Sequence, residues 1–194
     1  MTGKPVLLPQ MSNNHFLPPS DYVIIDGHKY KINADFRNWI SIIEKVSDSK
    51  LSLRHKLCVL LTNGYVDELP PNIDTAISSL IEFMNRGKTK SGTVKSNSSR
   101  LFDFTADEGL IYAAFMQQYG IDLYRTNMHW HEFCTLFSAL DENCAFMKVV
   151  FYRSIDCSKI KNEEKKKFYR KMKSIYKLDS EIDDETIADA LFRL

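Results

Sequence analysis

The chain of 194 residues carries 26 basic and 25 acidic side chains, a formal net charge of +1, with 44% hydrophobic and 26% charged residues. That is enough apolar material for one medium domain with a sizeable core. The near-zero charge weighs against a protein that coats nucleic acid through its overall field.

No apolar run approaches the roughly 18 residues of a membrane-spanning helix. Residues 1–20 hold Pro5, Pro9, Pro18 and Pro19 and lack an apolar run of signal-peptide length. Cys58, Cys134, Cys144 and Cys157 form no Cys-x-x-Cys pair, so no disulfide framework is expected and a reducing cytoplasm fits best.

Residues 1–20 read as a flexible N-terminal arm. Tyr22-Val23-Ile24-Ile25 and His28 to Ile32 then flank Asp26-Gly27, a two-residue link that accepts positive φ at both positions, so a β-hairpin over 22–32 is expected. A lone hairpin is marginal in water and must lie on the helices that follow. From Asp35 the period lengthens. Phe36, Trp39, Ile40, Ile43 and Val46 mark one helix face, and Leu53, Leu57, Leu60 and Leu61 a second that Asn63-Gly64 stops. Asn72 caps a third, with Ile73, Ala76, Ile77, Leu80, Ile81 and Met84 inward and Gly87 at its end.

Residues 87–100 contain four cations, no acid and a single aliphatic residue, Val94, too little apolar surface to offset ordering entropy; a flexible basic loop is expected. Thr105 and Glu108 match a Thr-x-x-Glu capping box for a helix through Tyr119, with Ile111, Ala114 and Phe115 inward and Gly120 just beyond. Trp130, Phe133, Cys134, Phe137 and Leu140 give the next helix, and Phe146, Val149 and Val150 a short one. Phe168, Met172, Ile175 and Tyr176 line one side of a basic helix. Acids at Asp183-Asp184-Glu185 suit the start of a last helix carrying Ile187, Ala190, Leu191 and Leu194. The expected fold is mostly α: a compact helical domain over 21–178, of about seven helices with one N-terminal β-hairpin, followed by an acidic C-terminal helix at 179–194.

No spacing supports catalysis, a cofactor or a metal. Residues two apart on a helix point about 200° from each other, so His129 and His131 are not expected to share an ion. The His-Glu-x-x-His pattern and the Gly-rich phosphate loop are both absent, and no cysteine has a local activating partner. The basic segment is the stronger signal. Residues 159–177 hold nine cations against Glu163 and Glu164, net +7, whereas 178–194 hold six acids against Arg193, net −5. This near-cancellation favours docking of the acidic tail on or near the basic helix, or a protein partner competing for it.

The hairpin running into INADFRNW (32–39), the block RLFDFTADEGLIYAAFMQQYGIDL (100–123), the Met-His-Trp-x-x-Phe helix (128–133) and FYRSIDCSKIKNEEKKKFYRKMKSIYKL (151–178) follow one another in an order that resembles the bacteriophage gene-product-fifteen family of long-tailed phages. One departure is His131, where a second Trp beside Trp130 is expected. The resemblance implies a non-catalytic tail assembly chaperone that keeps the helical tape measure protein soluble, helps recruit tail tube protein subunits, acts in the host cytoplasm and is absent from the mature virion. It brings no catalytic residues, and a homo-oligomer around the guest is compatible with it.

A binder of apolar helix faces needs adaptable aromatic and Met side chains. Tyr112, Phe115, Met116, Trp130, Phe133 and Phe137 supply them, although helical-period stripes usually form core. The residues singled out for partner contact are Tyr119, Tyr124, Trp130 and Tyr169, with Lys166, Arg170 and Lys173 on the basic helix. The alternatives are a structural head–tail or tail component, found in purified virions, and a nucleic-acid binder with steep salt dependence.

Overall fold

Asp26 and Gly27 adopt φ of 50° and 81°, the left-handed pair that a two-residue hairpin link requires. They join strand β1 (Tyr22–Ile25) to strand β2 (His28–Lys31) in antiparallel register, with Ile25 opposite His28 and Tyr22 opposite Lys31. The computed structural model describes residues 17–86 and 100–178. The arm before residue 17, most of the basic loop, the stop at Gly87 and the acidic C-terminal helix lie outside the described residues.

The hairpin does not stand free. Ile25, Tyr30 and Ile32 are buried, and Ile32 forms an isolated bridge with Tyr65. The Tyr65 hydroxyl donates to the Ala76 carbonyl at 3.0 Å. Burial, followed by the neighbouring Tyr30, pushes that phenol up to about 12.

Helix α1 (Phe36–Ser47) starts at Asp35, whose carboxylate accepts from the Arg37 amide. It buries Phe36, Trp39, Ile42, Ile43 and Val46; Ile40 is only partly covered and Ile42 takes the inner place beside Trp39. Helix α2 (Leu53–Gly64) buries Leu60, Leu61 and the stem of Lys56, while Leu53 stands outside, 59% exposed. Gly64 is the last residue of that helix rather than its breaker. A Cβ there would meet Leu80 Cδ1 at 2.7 Å, so its value is close approach of α2 to helix α3 (Ile73–Met84). Asn72 caps α3 as expected, accepting from the Thr75 amide at 3.0 Å.

Helix α4 (Glu108–Tyr119) corrects the expected capping box. The Thr105 hydroxyl donates to Glu44 on α1 instead, and Asp107 occupies the cap position without a side-chain cap bond. Its carboxylate turns inward to Arg153. Gly120 ends the helix at φ 67°, its N–H donating to the Met116 and Phe115 carbonyls. Helices α5 (Trp130–Ser138) and α6 (Ala145–Ser154), a short 3-10 turn at Cys157–Lys159 and helix α7 (Glu163–Ile175) complete the described chain.

The core is aromatic. Phe133 is stacked between Phe36 (4.8 Å between centroids) and Phe115 (5.3 Å), with Trp130 at 5.9 Å and Phe137 at 5.6 Å. Trp39 stacks on Trp130 at 6.3 Å with 28° between the ring planes. Such pairs add about 0.5–1.5 kcal/mol each beyond burial. Among the described α-helices, α7 differs from the other six in having no buried residue.

Candidate partner-binding surface

Arg153 determines where the last helices sit. It falls on the Phe146–Val149–Val150 stripe of α6, at the heptad spacing from Phe146, so its stem enters the interior and its head must be neutralised there. The guanidinium makes a two-pronged ion pair with Asp107, Nη1 to Oδ2 at 2.6 Å and Nη2 to Oδ1 at 2.9 Å. Nη1 also donates to the Leu101 carbonyl at 3.1 Å and Nε to the Tyr176 carbonyl at 2.6 Å. The side chains of Arg153 and Asp107 are 9% and 2% exposed. One buried cation thus joins the start of α4, the segment before it and the end of α7.

Helix α7 is begun by Asn162, which accepts from the Lys165 amide at 2.9 Å. It rests on α6 through ring edges. Tyr152 stacks on Tyr176 (5.9 Å, 17°) and meets Phe168 edge-on at 6.3 Å, while Tyr169 meets Phe151 edge-on at 5.9 Å. The rings cover only part of one another. Phe151 stays 48% exposed, Phe168 49% and Ile175 58%, and Lys165 and Lys171 are exposed on either side of the Phe168–Ile175 stripe of α7. The result is an apolar, aromatic face with a basic rim, the mixture that docks an amphipathic helix of opposite charge.

The residues singled out from sequence divide in two. Lys166, Tyr169, Arg170 and Lys173 come together on α7. Lys166 is engaged locally with Glu163 at 3.1 Å, and Lys173 donates to the Ile155 carbonyl at 2.9 Å, closing the end of α6. Arg170 shares a shallow concavity with Glu163, Glu164 and Lys167. Tyr119, Tyr124 and Trp130 lie elsewhere. Trp130 is a correction: at 2% exposure it is interior, with Nε1 donating to the Met84 carbonyl at 2.9 Å, so it has no surface to offer a partner. Phe115, Phe133 and Phe137 are likewise core. Tyr119 is partly buried and braces α4 on α5, its hydroxyl donating to the Leu136 carbonyl at 2.9 Å.

Tyr124, 61% exposed, stacks on Tyr112 at 4.6 Å. It overhangs a second concavity of about 350 Å³ between α1 and α4, floored by Phe36, Ile40, Ile111 and Leu123 and edged by Arg37, Glu44 and Glu108. Arg37 holds its far wall through the carbonyls of Leu123 and Thr126, at 3.1 and 2.6 Å. The floor is the outer edge of the aromatic core rather than a separate lining.

Phe151 and Tyr152 on α6 are the surface residues that sequence reasoning missed. Their adjacency to the inward Arg153 was the available signal, because α6 alternates so quickly between inner and outer aromatic positions.

The histidines sit differently from the helical expectation. His129 is the N-cap of α5, in extended conformation, and its Nδ1 accepts from the His131 amide at 3.0 Å. The two rings therefore meet, 4.8 Å apart. Nε2 of His131 faces the Phe83 carbonyl and so carries the proton. Burial lowers His131 to about 4, with His129 and Arg86 adding to the shift against the Phe83 hydrogen bond. Among the described residues no group of three or more His, Cys, Asp or Glu side chains is placed to hold a metal ion, and no helix is long and apolar enough to cross a membrane.

The family model described as Bacteriophage Gp15 protein matches residues 19–178, a span that includes the hairpin and the seven α-helices of the described residues. No curated protein and no solved structure matches the chain.

Proposed function

The chain belongs to the bacteriophage Gp15 protein family, a group of phage structural or assembly-related proteins, and on that premise we propose that it is a tail assembly chaperone. In this reading it is non-catalytic, holds apolar helix faces of the tape measure protein and helps bring tail tube subunits to them in the host cytoplasm. The supporting observation is the α6–α7 face, where Phe151, Phe168 and Ile175 remain about half exposed and Lys165 and Lys171 flank the last two. A guest helix with an apolar stripe and acidic flanks gains burial from the rings and charge complementarity from the rim. The rings reach the surface beside a helix that buries none of its own residues, so a guest can be taken up without remodelling the aromatic interior.

Co-expression with the tape measure protein encoded by the same phage tests the reading. The soluble fraction of the tape measure protein is expected to rise several-fold, and a triple variant F151S/F168S/I175S to lose most of that gain while remaining folded. No rescue by the unaltered chain, or equal rescue by the triple variant, would sink the assignment. Recovery of the protein in stoichiometric amounts from purified virions would replace it with the structural tail-component reading.

A further inference from the structure

We propose that residues 179–194 dock back onto the α6–α7 face of the same molecule, so that the chain carries its own competitor for that surface. Charge and apolar pattern point to this segment. The described chain ends at Leu178, just past Tyr176, whose carbonyl Arg153 holds at 2.6 Å, and so beside the α6–α7 contact. The segment holds Asp179, Glu181, Asp183, Asp184, Glu185 and Asp189 against a single cation, Arg193.

The surface is the complement. Phe168 and Ile175, two turns apart on α7, are 49% and 58% exposed and lie about 10 Å apart along the axis at 1.5 Å per residue. Lys165 and Lys171 are exposed beside them. Ile187, Ala190, Leu191 and Leu194 recur at 3, 4 and 7, a single helical face, and are well matched to that stripe in length. Tethering supplies the rest: a short linker raises the effective concentration to about millimolar, so a contact too weak to matter between separate molecules is well populated within one. The contact stands on the face and the tail alone; that it delays guest capture rests on the function proposed above.

Hydrogen exchange of the full chain, without any guest, tests the contact. Backbone amides of α7 are expected to exchange at least fivefold slower in the unaltered protein than in the full-length tail variant I187D/L191D, with an unchanged urea midpoint for the core. A second full-length variant, I175S, should be as fast as the tail variant, since Ile175 is 58% exposed and makes none of the ring contacts that hold α7 on α6. A synthetic peptide of residues 179–194 should bind the tail variant at least tenfold more tightly than the unaltered chain, whose face is occupied, and should bind more weakly in 1 M salt. Equal exchange in all three proteins, or equal peptide affinity for the unaltered chain and the tail variant, would overturn the proposal. Protection that disappears on dilution would overturn it too, by placing the tail on a second copy. Failure here leaves the solubility rescue to be judged separately, because that assay needs only the face.

Discussion

Replacing Arg153 by Met should be the most damaging single change in the described chain outside the aromatic core. Met keeps most of the stem and removes four hydrogen bonds, at 2.6, 2.9, 3.1 and 2.6 Å. It leaves the Asp107 carboxylate 2% exposed with the Asp103 amide at 3.0 Å as its remaining partner. Stripping one member from a buried pair costs about 3–5 kcal/mol, mostly the penalty of the abandoned charge. At about 2–4 °C per kcal/mol for a chain of this size, the melting temperature should fall by about 6–20 °C. The double variant R153M/D107L removes both charges and should recover most of the loss, because an apolar replacement of the pair is near neutral. The Tyr176 carbonyl still lacks its donor in the double variant, so the amides of α7 should remain fast to exchange although the core has recovered. Urea unfolding of the unaltered chain, R153M, D107L and the double variant gives the coupling energy, and exchange gives the local effect. A loss below about 1 kcal/mol in R153M, or a double variant no better than the single, would refute the account of Arg153 as a neutralised tie.

Two further outcomes follow from the packing and from burial. Gly64→Ala should destabilise by about 1–3 kcal/mol despite the better helix propensity of Ala, because the new methyl group meets Leu80 inside α3, where Leu80 is fully buried; an unchanged or higher urea midpoint would contradict the close approach. His131 titrates near 4 in the folded chain against an ordinary 6.5, so the unfolded chain takes its proton first. Stability is then whole above pH 6.5 and falls towards pH 4, by on the order of 2 kcal/mol once access of water to the ring edge is allowed for. His131→Gln should flatten that part of the profile; an equally steep fall in the variant would assign the acid sensitivity to other groups.

The local signals in the sequence were reliable where a few adjacent residues settle the structure. Asp26-Gly27 made the hairpin, Asn72 capped α3, and Gly120 ended α4, because each depends on φ or on one side-chain oxygen within three residues. Faces were less legible. The α2 stripe reaches one turn too far back, since Leu53 carries the right spacing but stays 59% exposed, and the Phe83 contribution to α3 depends on Trp39 and His131 standing across from it. The Thr105–Glu108 box failed for a tertiary reason: Glu44 on α1 competes for the threonine hydroxyl, and Arg153, 46 positions away, claims the neighbouring aspartate. The residues singled out on α7 lie on a solvent-facing helix, which its run of charge marks in the sequence. Trp130 was misplaced because an aromatic residue looks the same in sequence whether it meets a guest or a core.

That α7 buries no residue has a consequence for how the protein can change over generations. A position that supports the interior is held by the shape of its neighbours, and most substitutions there are costly. Outward positions of α7 answer to no such neighbours. As long as Arg153, Tyr152 and the Tyr176 backbone keep the helix attached, its outer side is free to vary with whatever it touches. Two phages sharing this fold could therefore diverge in the partner they accept by altering one helix, with the aromatic interior left as it is.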